Sequence, residues 1–297
     1  MVEFFDRGDG VWQRGFAGDT LNVAWALRAL LPPEVPVGFA TRVGTDAVSD
    51  AMLGFVSAAG IGTGAIQRDL ERTLGLYTIA TDRAGERSFT YWRSHSAARR
   101  LADDADHLTA EFRRARLIYL SGITAAVVGP EGRTTLLDAL KAAKAQGVRV
   151  AYDPNYRPRL WDGDEAMRDF APQIAALADI LLPTFDDEVA GFGDTSPEAT
   201  VARLTRWGCN EVVVKNGAAT TELSANGALS DHLPPQGIQP VDTTGAGDAF
   251  NGGYLAARLS GRTPADAVKV AQAVAARVVM TRGALAPVDA LRQAALG

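Results

Sequence analysis

A stretch of seven residues near the carboxyl-terminal end combines glycine, threonine and aspartate at a spacing suited to phosphoryl transfer. It has the sequence Asp-Thr-Thr-Gly-Ala-Gly-Asp at 242–248 and leads into an Ala- and Leu-rich helical segment at 250–260. Glycine lets backbone amides approach a ligand closely, and a helix start adds unpaired N–H groups and the positive end of the helix dipole. The pattern therefore predicts an anion hole around Gly245 and Gly247.

Asp248 stands at the start of this predicted helix, where a carboxylate stays ionised. Beside an anion hole, an ionised carboxylate can accept the proton of an attacking hydroxyl while a phosphoryl group is transferred to it. A capped helix start would also place an aspartate after a Gly-rich loop, and an isolated Gly-x-Gly carries little weight. Two threonines, two glycines and two aspartates within seven positions favour the catalytic interpretation.

The same seven residues match in full the second signature, Asp-Thr-x-Gly-Ala-Gly-Asp, of the PfkB, or ribokinase-like, carbohydrate kinases. The chain resembles this family over nearly its whole length. The resemblance implies that Gly245, Ala246 and Gly247 form the anion hole for the transferred phosphate, with Thr244 on the nucleotide side. It also implies that Asp248 deprotonates the sugar hydroxyl as the catalytic base.

Two upstream segments extend the resemblance. The sequence Ala-Gly-Asp-Thr-Leu-Asn at 17–22 is similar to the family's Gly-Gly-x-x-x-Asn sugar-binding turn, with Ala17 in place of the first glycine. By this likeness Gly18, Asp19 and Asn22 bind substrate. The sequence Val-Gly-Thr-Asp at 43–46 resembles the family's first signature, Val-Gly-x-Asp, whose role is structural.

The nucleotide side of the site is implied by a third segment, Val-Val-Lys-Asn-Gly at 213–217, which is similar to the strand end that approaches ATP in the family. The resemblance places Lys215 and Gly217 near ATP. Mg²⁺ is expected with it, because ATP phosphates need charge neutralisation. Thr184 and Asp187 have the spacing of the family's Asn-x-x-Glu motif without its residue types, so the metal ligands stay unassigned.

Arginines indicate the class of substrate. A sugar acid needs a cation for its carboxylate, and arginine is suited to bidentate pairing with it. Arg93 ends a predicted strand, and Arg157 follows another strand at its carboxyl end, where open α/β sheets bind ligands. These segments resemble the 2-keto-3-deoxygluconate kinase branch of the family, which implies that Tyr77, Tyr91, Arg93 and Arg157 contact the substrate.

The strands and helices that must position these residues are predicted to form an α/β fold. Short apolar runs at 117–121, 148–153, 180–182 and 212–215 predict strands, and the segments 130–146, 164–178 and 197–207 between them predict helices. The resemblance implies a ribokinase-like fold, with a central, mostly parallel sheet flanked by helices and a small β-strand lid.

Residues 73–93 interrupt this alternation. The runs 73–81 and 88–93 flank a polar turn at 82–87, which predicts a hairpin. The hairpin is either a lid over the site or an edge extension of the main sheet. We predict a single kinase domain over 1–297, with a lid built from about 8–18 and 73–93.

Composition limits the partners and the compartment. The 297 residues carry a formal net charge of −5, which disfavours a broad nucleic-acid or anionic-membrane surface. One cysteine excludes an intramolecular disulfide, and no run approaches the length of a membrane span or signal peptide, so a cytoplasmic location is expected. The resemblance implies a homodimer formed through the lid.

The sequence as a whole predicts transfer of the ATP γ-phosphoryl group to the terminal hydroxyl of 2-keto-3-deoxygluconate, giving 2-keto-3-deoxy-6-phosphogluconate and ADP. Two alternatives stay open: a kinase for a neutral sugar such as fructose or ribose, and a non-catalytic ligand-binding protein on the kinase fold. Family members begin with an apolar strand before the region that resembles residues 1–4. We expect that strand either to be missing, which would expose a sheet edge, or to be replaced by another segment.

Overall fold

The computed structural model of the chain describes residues 1–7, 10–81 and 87–296. Its strands are β1 (Val2–Asp6), β2 (Trp12–Phe16), β3 (Thr41–Val43), β4 (Ile66–Arg68), β5 (Leu76–Thr81), β6 (Arg87–Trp92), β7 (Leu117–Ser121), β8 (Arg149–Asp153), β9 (Ile180–Leu181), β10 (Glu211–Val214), β11 (Thr221–Ala225) and β12 (Ala228–His232). Its α-helices are α1 (Asp19–Leu30), α2 (Ala47–Ala58), α3 (Ala105–Arg114), α4 (Gly122–Lys144), α5 (Asp164–Leu177), α6 (Phe185–Phe192), α7 (Pro197–Arg206), α8 (Ala246–Leu259), α9 (Pro264–Val279) and α10 (Val288–Leu296).

The main sheet has six strands in the order β12-β11-β10-β9-β8-β7. The pairs from β7 to β10 are parallel, and β11 and β12 add an antiparallel hairpin beside β10. The central strands are buried on both faces: Val212 and Val214 pack into one apolar cluster and Val213 into another. Because successive strand side chains point to opposite faces, helices cover both sides of this sheet. The α/β fold class expected from the sequence is thereby confirmed.

The strands β7 to β10 and the helices α5 and α7 lie where the sequence predicts them, within a few residues. The predicted helix at 130–146 is longer in the structure, because α4 begins at Gly122. Gly129 interrupts it with φ +74°, immediately before Pro130, so the local sequence indicated only the second of two joined helical segments. Among the described helices, α4 included, none combines the length and apolar character of a membrane span.

A separate four-stranded sheet, in the order β2-β1-β5-β6, contains most of the segments predicted to build a lid, and we refer to it as the lid sheet. The strands β5 and β6 pair antiparallel, as the hairpin prediction requires, while the turn predicted at 82–87 falls mostly outside the described residues. The predicted lid segments, 8–18 and 73–93, omitted β1, which lies in the middle of this sheet. It pairs antiparallel with β2 and parallel with β5, more than 70 residues away along the chain.

The single cysteine lies in the interior. Cys209 precedes β10, is fully buried in the apolar cluster that contains Val212, and directs its Sγ toward the carbonyl oxygen of Glu211 at 3.3 Å. Burial raises the pKa of the Cys209 thiol to about 11. The thiol is therefore a packing group.

Candidate active site

Nine of the predicted site residues line one cavity of about 690 Å³ between the lid sheet and the starts of α1 and α8. It is also lined by β7, which ends the six-stranded sheet within the described part of the chain. The predicted residues that line it are Gly18, Asp19, Asn22, Tyr77, Tyr91, Arg93, Thr244, Gly245 and Asp248. The predicted residues outside its lining are Arg157, Lys215, Gly217, Ala246 and Gly247.

The Gly-rich loop is held in place by Asp242, which is buried. One oxygen of its carboxylate accepts from the Thr244 N–H at 2.9 Å, and the other accepts from the Gly283 N–H at 2.5 Å. Gly245 has φ +76°, and a β-carbon there would lie 2.8 Å from that of Ala284. Only glycine fits this position, which precedes the first turn of α8.

That first turn contains Gly247 and Asp248. The N–H groups of a first helical turn have no partner within the helix, and the helix dipole adds positive potential there. The loop can therefore receive a phosphate oxygen, while the carboxylate of Asp248 faces the same cavity. This arrangement has the geometry required for proton removal from a hydroxyl next to a bound phosphoryl group.

The carboxylate of Asp248 is surrounded by groups that change its proton affinity. Burial and the negative charges of Asp19 and Asp153 raise its pKa to about 7, against the opposing effects of Asn22 and Lys215. Asn22 donates from Nδ2 to Asp248 Oδ2 at 2.7 Å. A carboxyl group with a pKa near neutral is suited to general-base catalysis at physiological pH.

The start of α1 presents two polar side chains to the cavity. Gly18, with φ +153°, precedes this helix, and its N–H donates to Asn22 Oδ1 at 3.3 Å. This contact orients the Asn22 amide so that its NH₂ group is directed to Asp248. Asp19 accepts a hydrogen bond from the Ser121 hydroxyl at the end of β7, and burial raises the pKa of Asp19. Both residues can bind sugar hydroxyls.

The lid contributes aromatic rings and one cation. Tyr77 donates its hydroxyl hydrogen to Glu3 of β1, so its oxygen can still accept from a ligand hydroxyl. The guanidinium of Arg93 lies 4.3 Å from the ring centroid of Tyr91. Among the described residues, Arg93 forms no salt bridge, although Asp19 is near enough to influence its pKa. A partly buried, unpaired guanidinium in a cavity can bind a carboxylate.

Arg157 is placed differently from Arg93. Its Nη1 donates to both carboxylate oxygens of Asp187 at 3.2 Å and to the carbonyl oxygen of Tyr156 at 2.6 Å. About half of its side chain is exposed. Its positive charge nevertheless contributes to lowering the pKa of Arg93, after the larger effect of burial, which means that the two guanidinium groups are neighbours.

The two residues that the sequence analysis expects near ATP, Lys215 and Gly217, follow β10. Gly217 adopts φ +56° in an open turn. Lys215 instead turns inward and donates to Asp153 Oδ2 at 2.7 Å and to Asn251 Oδ1 at 3.0 Å. Asn251 was not among the predicted site residues, although its position three residues after Asp248 puts it on the same side of α8.

The sequence analysis also missed Glu3, because nothing local links β1 to Tyr77. Ser121 and Asp153 carried a usable signal, since each ends a parallel strand at the edge where such sheets bind ligands. Asp187 carried a weaker sequence signal, because Thr184 and Asp187 have the spacing of the family's Asn-x-x-Glu motif. In the structure its carboxylate pairs with Arg157, and burial raises its pKa.

No group of three or more His, Cys, Asp or Glu side chains that could hold a metal ion occurs among residues 1–7, 10–81 and 87–296. The donor set therefore does not fit a metal ion ligated by the protein alone.

Residues 10–291 match the profile of the pfkB family carbohydrate kinases, and the chain belongs to this family. Its relatives include the 2-dehydro-3-deoxygluconokinase of Dickeya dadantii (strain 3937), 38% identical over 297 residues, which cover 98% of this chain and 96% of the relative. The 2-dehydro-3-deoxygluconokinase of Escherichia coli (strain K12) is 38% identical over 299 residues, with 98% of this chain and 96% of the relative covered.

A solved structure described as a putative ribokinase II in complex with ATP and Mg²⁺ from E. coli superposes with a TM-score of 0.85. The match covers 99% of this chain and 95% of the other, at 23% sequence identity. At this identity the likeness establishes the fold alone, which is ribokinase-like as the sequence predicts.

Proposed function

We propose that this protein phosphorylates 2-keto-3-deoxygluconate, also called 2-dehydro-3-deoxygluconate, at its terminal hydroxyl with ATP as donor. Membership of the pfkB family supports a carbohydrate kinase, and near-full-length relatives named for this reaction support the substrate. The observation that carries the choice of a sugar acid is Arg93. It is a partly buried guanidinium in the same cavity as Asp248, without a salt bridge to any described residue.

In the proposed reaction the sugar acid lies across the cavity, with its carboxylate at Arg93 and its terminal hydroxyl at Asp248. Asp19, Asn22 and Tyr77 bind the intervening oxygens, and Gly18 leaves room for the ligand at the start of α1. Tyr91 packs against Arg93 and holds the guanidinium toward the ligand. Arg157 adds positive charge beside Arg93 once its pairing with Asp187 loosens.

Asp248 removes the hydroxyl proton as the oxygen attacks the γ-phosphorus of ATP. The backbone amides of Gly245, Ala246 and Gly247 receive the phosphate oxygens, on which negative charge accumulates. Thr244, Lys215 and Gly217 form the nucleotide side. Mg²⁺ arrives with ATP and neutralises its phosphates, and closure of the lid sheet excludes water from the reaction.

We further propose that the protein acts in the cytoplasm as a homodimer formed through the lid. The lid sheet carries exposed aromatic side chains: Trp12 is 44% and Trp92 57% exposed, and Val11, just before β2, is 58% exposed. A second copy of the same sheet is a self-complementary partner for such a surface.

The deciding experiment measures ADP release with the purified chain across a panel of matched compounds. The panel contains 2-keto-3-deoxygluconate, its galactonate epimer, gluconate, fructose and ribose. We expect the highest kcat/KM for a ketodeoxy sugar acid. A preference for fructose or ribose would replace the proposal with a neutral-sugar kinase, and ATP binding without ADP release on any compound would indicate a non-catalytic protein.

A further inference from the structure

A buried lysine lies next to the proposed anion loop. Lys215, at the end of β10, is only 7% exposed. Its Nζ donates to Asp153 Oδ2 at 2.7 Å and to Asn251 Oδ1 at 3.0 Å. An ammonium group is expensive to bury unless it is paired and hydrogen-bonded, and here both conditions are met.

Asn251 is the connecting residue of this cluster. Its side chain is fully buried. Its Nδ2 donates to Asp153 Oδ2 at 2.7 Å and to the Tyr119 hydroxyl at 3.1 Å, while its Oδ1 accepts from Lys215. Both hydrogens and the oxygen of the amide are thus used, which fixes the amide in one orientation. The amide connects α8 to the middle of β7 and to the ends of β8 and β10.

The ammonium group lies directly beside the anion loop. A β-carbon at Gly247 would be 3.7 Å from Lys215 Nζ. An ammonium has three N–H groups, and two of them have acceptors among the described residues. The positive charge is thus held next to the first turn of α8, where the phosphate is expected, without lining the cavity itself.

We propose that Asp153 and Asn251 are positioning residues that hold the Lys215 ammonium behind the Gly245–Gly247 loop, so that its charge stabilises the phosphoryl group during transfer. The inference rests on the proposed function and assigns a role that the loop amides cannot fill alone. Backbone amides supply partial charges, whereas the buried ammonium adds an ionic charge beside them, which its pairing with Asp153 offsets only in part.

The charge also acts on the catalytic base. Lys215 opposes the effects of burial, Asp19 and Asp153, which raise the pKa of Asp248 to about 7. Without the ammonium, the pKa of Asp248 would be higher still. The charged and titratable groups that face Asp248 are Asp19 of α1, Asp153 of β8, Lys215 after β10, Tyr77 of the lid and Tyr119 of β7.

The rival explanation is that Lys215 and Asp153 only join two strands. The double variant Asp153→Asn/Lys215→Met distinguishes the structural explanation from the proposed catalytic one. It removes both charges together and leaves no unpaired ion in the interior. We expect it to fold, with Tm within about 5 °C of the wild type. Its kcat should fall about 100-fold while KM for the sugar acid changes less than about threefold. A folded double variant with kcat within threefold of the wild type would refute the proposal.

A matched control uses an ion pair between β10 and α8, the two elements that the Lys215–Asn251 hydrogen bond also joins, at their far ends. Arg258 of α8 donates from Nε and Nη2 to the two carboxylate oxygens of Glu211 of β10 at 2.8 Å. The double variant Glu211→Gln/Arg258→Met should retain wild-type kcat. An equal loss of kcat in the control would attribute the effect to the connection between α8 and β10 and contradict a role for the Lys215 charge.

Two further measurements have readouts other than the size of kcat, and both can be made on Asn251→Ala if the double variant does not fold. Asn251→Ala keeps both charges but frees the ammonium, so the acidic limb of kcat/KM should move to higher pH as Asp248 gains proton affinity. An unmoved limb would count against the proposal. Asp153→Asn/Lys215→Met, or Asn251→Ala if the double variant does not fold, should bind ATP about tenfold more weakly and AMP unchanged. Equal affinities for ATP in variant and wild type would overturn the role of the charge, even if the sugar-acid substrate were wrong.

Discussion

Several neighbouring groups decide how readily Asp248 takes up a proton. Burial has the largest effect, two aspartates add to it, and Asn22 and Lys215 oppose it. The resulting pKa of about 7 means that the carboxylate is partly protonated at neutral pH, so the expectation that it stays ionised at the helix start is corrected by the effect of burial. The raised pKa makes the Asp248 carboxylate a stronger base, but a smaller fraction of the enzyme has Asp248 ionised in mildly acidic solution.

Asp248→Asn tests the base directly. The amide keeps the shape of the side chain and its contact with Asn22, but it cannot accept a proton from the sugar. We expect kcat to fall by about 10²- to 10⁴-fold while ATP affinity, measured by calorimetry, stays within about twofold. Turnover near that of the wild type would remove Asp248 from the role of base.

The same substitution should stabilise the fold, with a pH dependence of defined sign. The pKa of Asp248 is raised on folding, from 3.8 to about 7, so the folded protein holds a proton that the unfolded chain releases. The ionised carboxylate therefore costs stability increasingly as pH rises from about 4 to about 7. Denaturant unfolding at pH 5 and pH 8 should show Asp248→Asn gaining more over the wild type at pH 8, by about 1 kcal/mol or more. An equal gain at both values would contradict the raised pKa.

Arg93 and Arg157 form a natural pair for comparison. Arg93 lines the cavity and forms no salt bridge with a described residue, whereas Arg157 is bound to Asp187. Arg93→Met should raise KM for the sugar acid about 10- to 100-fold, the range expected for a charged hydrogen bond. Arg157→Met should raise it less, since part of the Arg157 charge is already neutralised. Steady-state kinetics with 2-keto-3-deoxygluconate decide the order. A larger effect at Arg157 would reassign the carboxylate contact.

At the scale of elements, the two ends of α8 illustrate how position determines the effect of a glycine. Gly245 precedes the helix with φ +76° and has Ala284 against it, whereas Gly261 follows the helix with φ +83° and has nothing within 4 Å. The positive φ makes any residue other than glycine unfavourable at both positions. Only at Gly245 would a β-carbon also clash with a neighbouring residue.

We therefore expect Gly261→Ala to cost about 1–2 kcal/mol of unfolding free energy and to leave kcat unchanged. Gly245→Ala should cost about 1–3 kcal/mol more, because Ala284 must move, and it should also reduce kcat as the anion loop shifts. Denaturant unfolding and turnover, measured on both variants, separate backbone strain from crowding. Equal losses of stability in the two variants would show that crowding at Ala284 is relieved cheaply.

The central strands were predictable because buried parallel strands read as short apolar runs, and β7 to β10 fit that description. The position of β1 in the lid sheet was not predictable, because its pairing with β5 joins segments about 74 residues apart. A local sequence pattern does not indicate which strand another strand pairs with. The same limit applies in the site. The residue types of Asp248 and Arg93 carried their own signal, whereas the pairing of Arg157 with Asp187 depends on two segments that meet only after folding.

For the whole molecule, the lid sheet has two tasks in the proposed function. One of its faces covers the cavity with Tyr77, and its exposed apolar residues are proposed to contact a second copy. If so, assembly and lid position are coupled, because a contact that orders the strands in the dimer also orders the side chains over the site.

Trp92→Glu tests the proposed dimer. A buried, unpaired carboxylate in the contact should shift the protein to a monomer in analytical ultracentrifugation at micromolar concentration and raise KM for the sugar acid. Leu229→Glu is the control, since Leu229 is 60% exposed on β12, far along the chain from the lid strands. A dimer that survives Trp92→Glu, or a wild-type monomer, would exclude the lid as the interface.

The enclosed position of Cys209 has a practical consequence. A fully buried thiol with a pKa of about 11 presents almost no thiolate at neutral pH, so alkylating reagents and mild peroxide should leave it intact while the protein stays folded. The folded wild-type chain should therefore not react with thiol-directed labels. Cysteines introduced on the lid strands can carry paired fluorophores that report closure over the sugar acid by energy transfer.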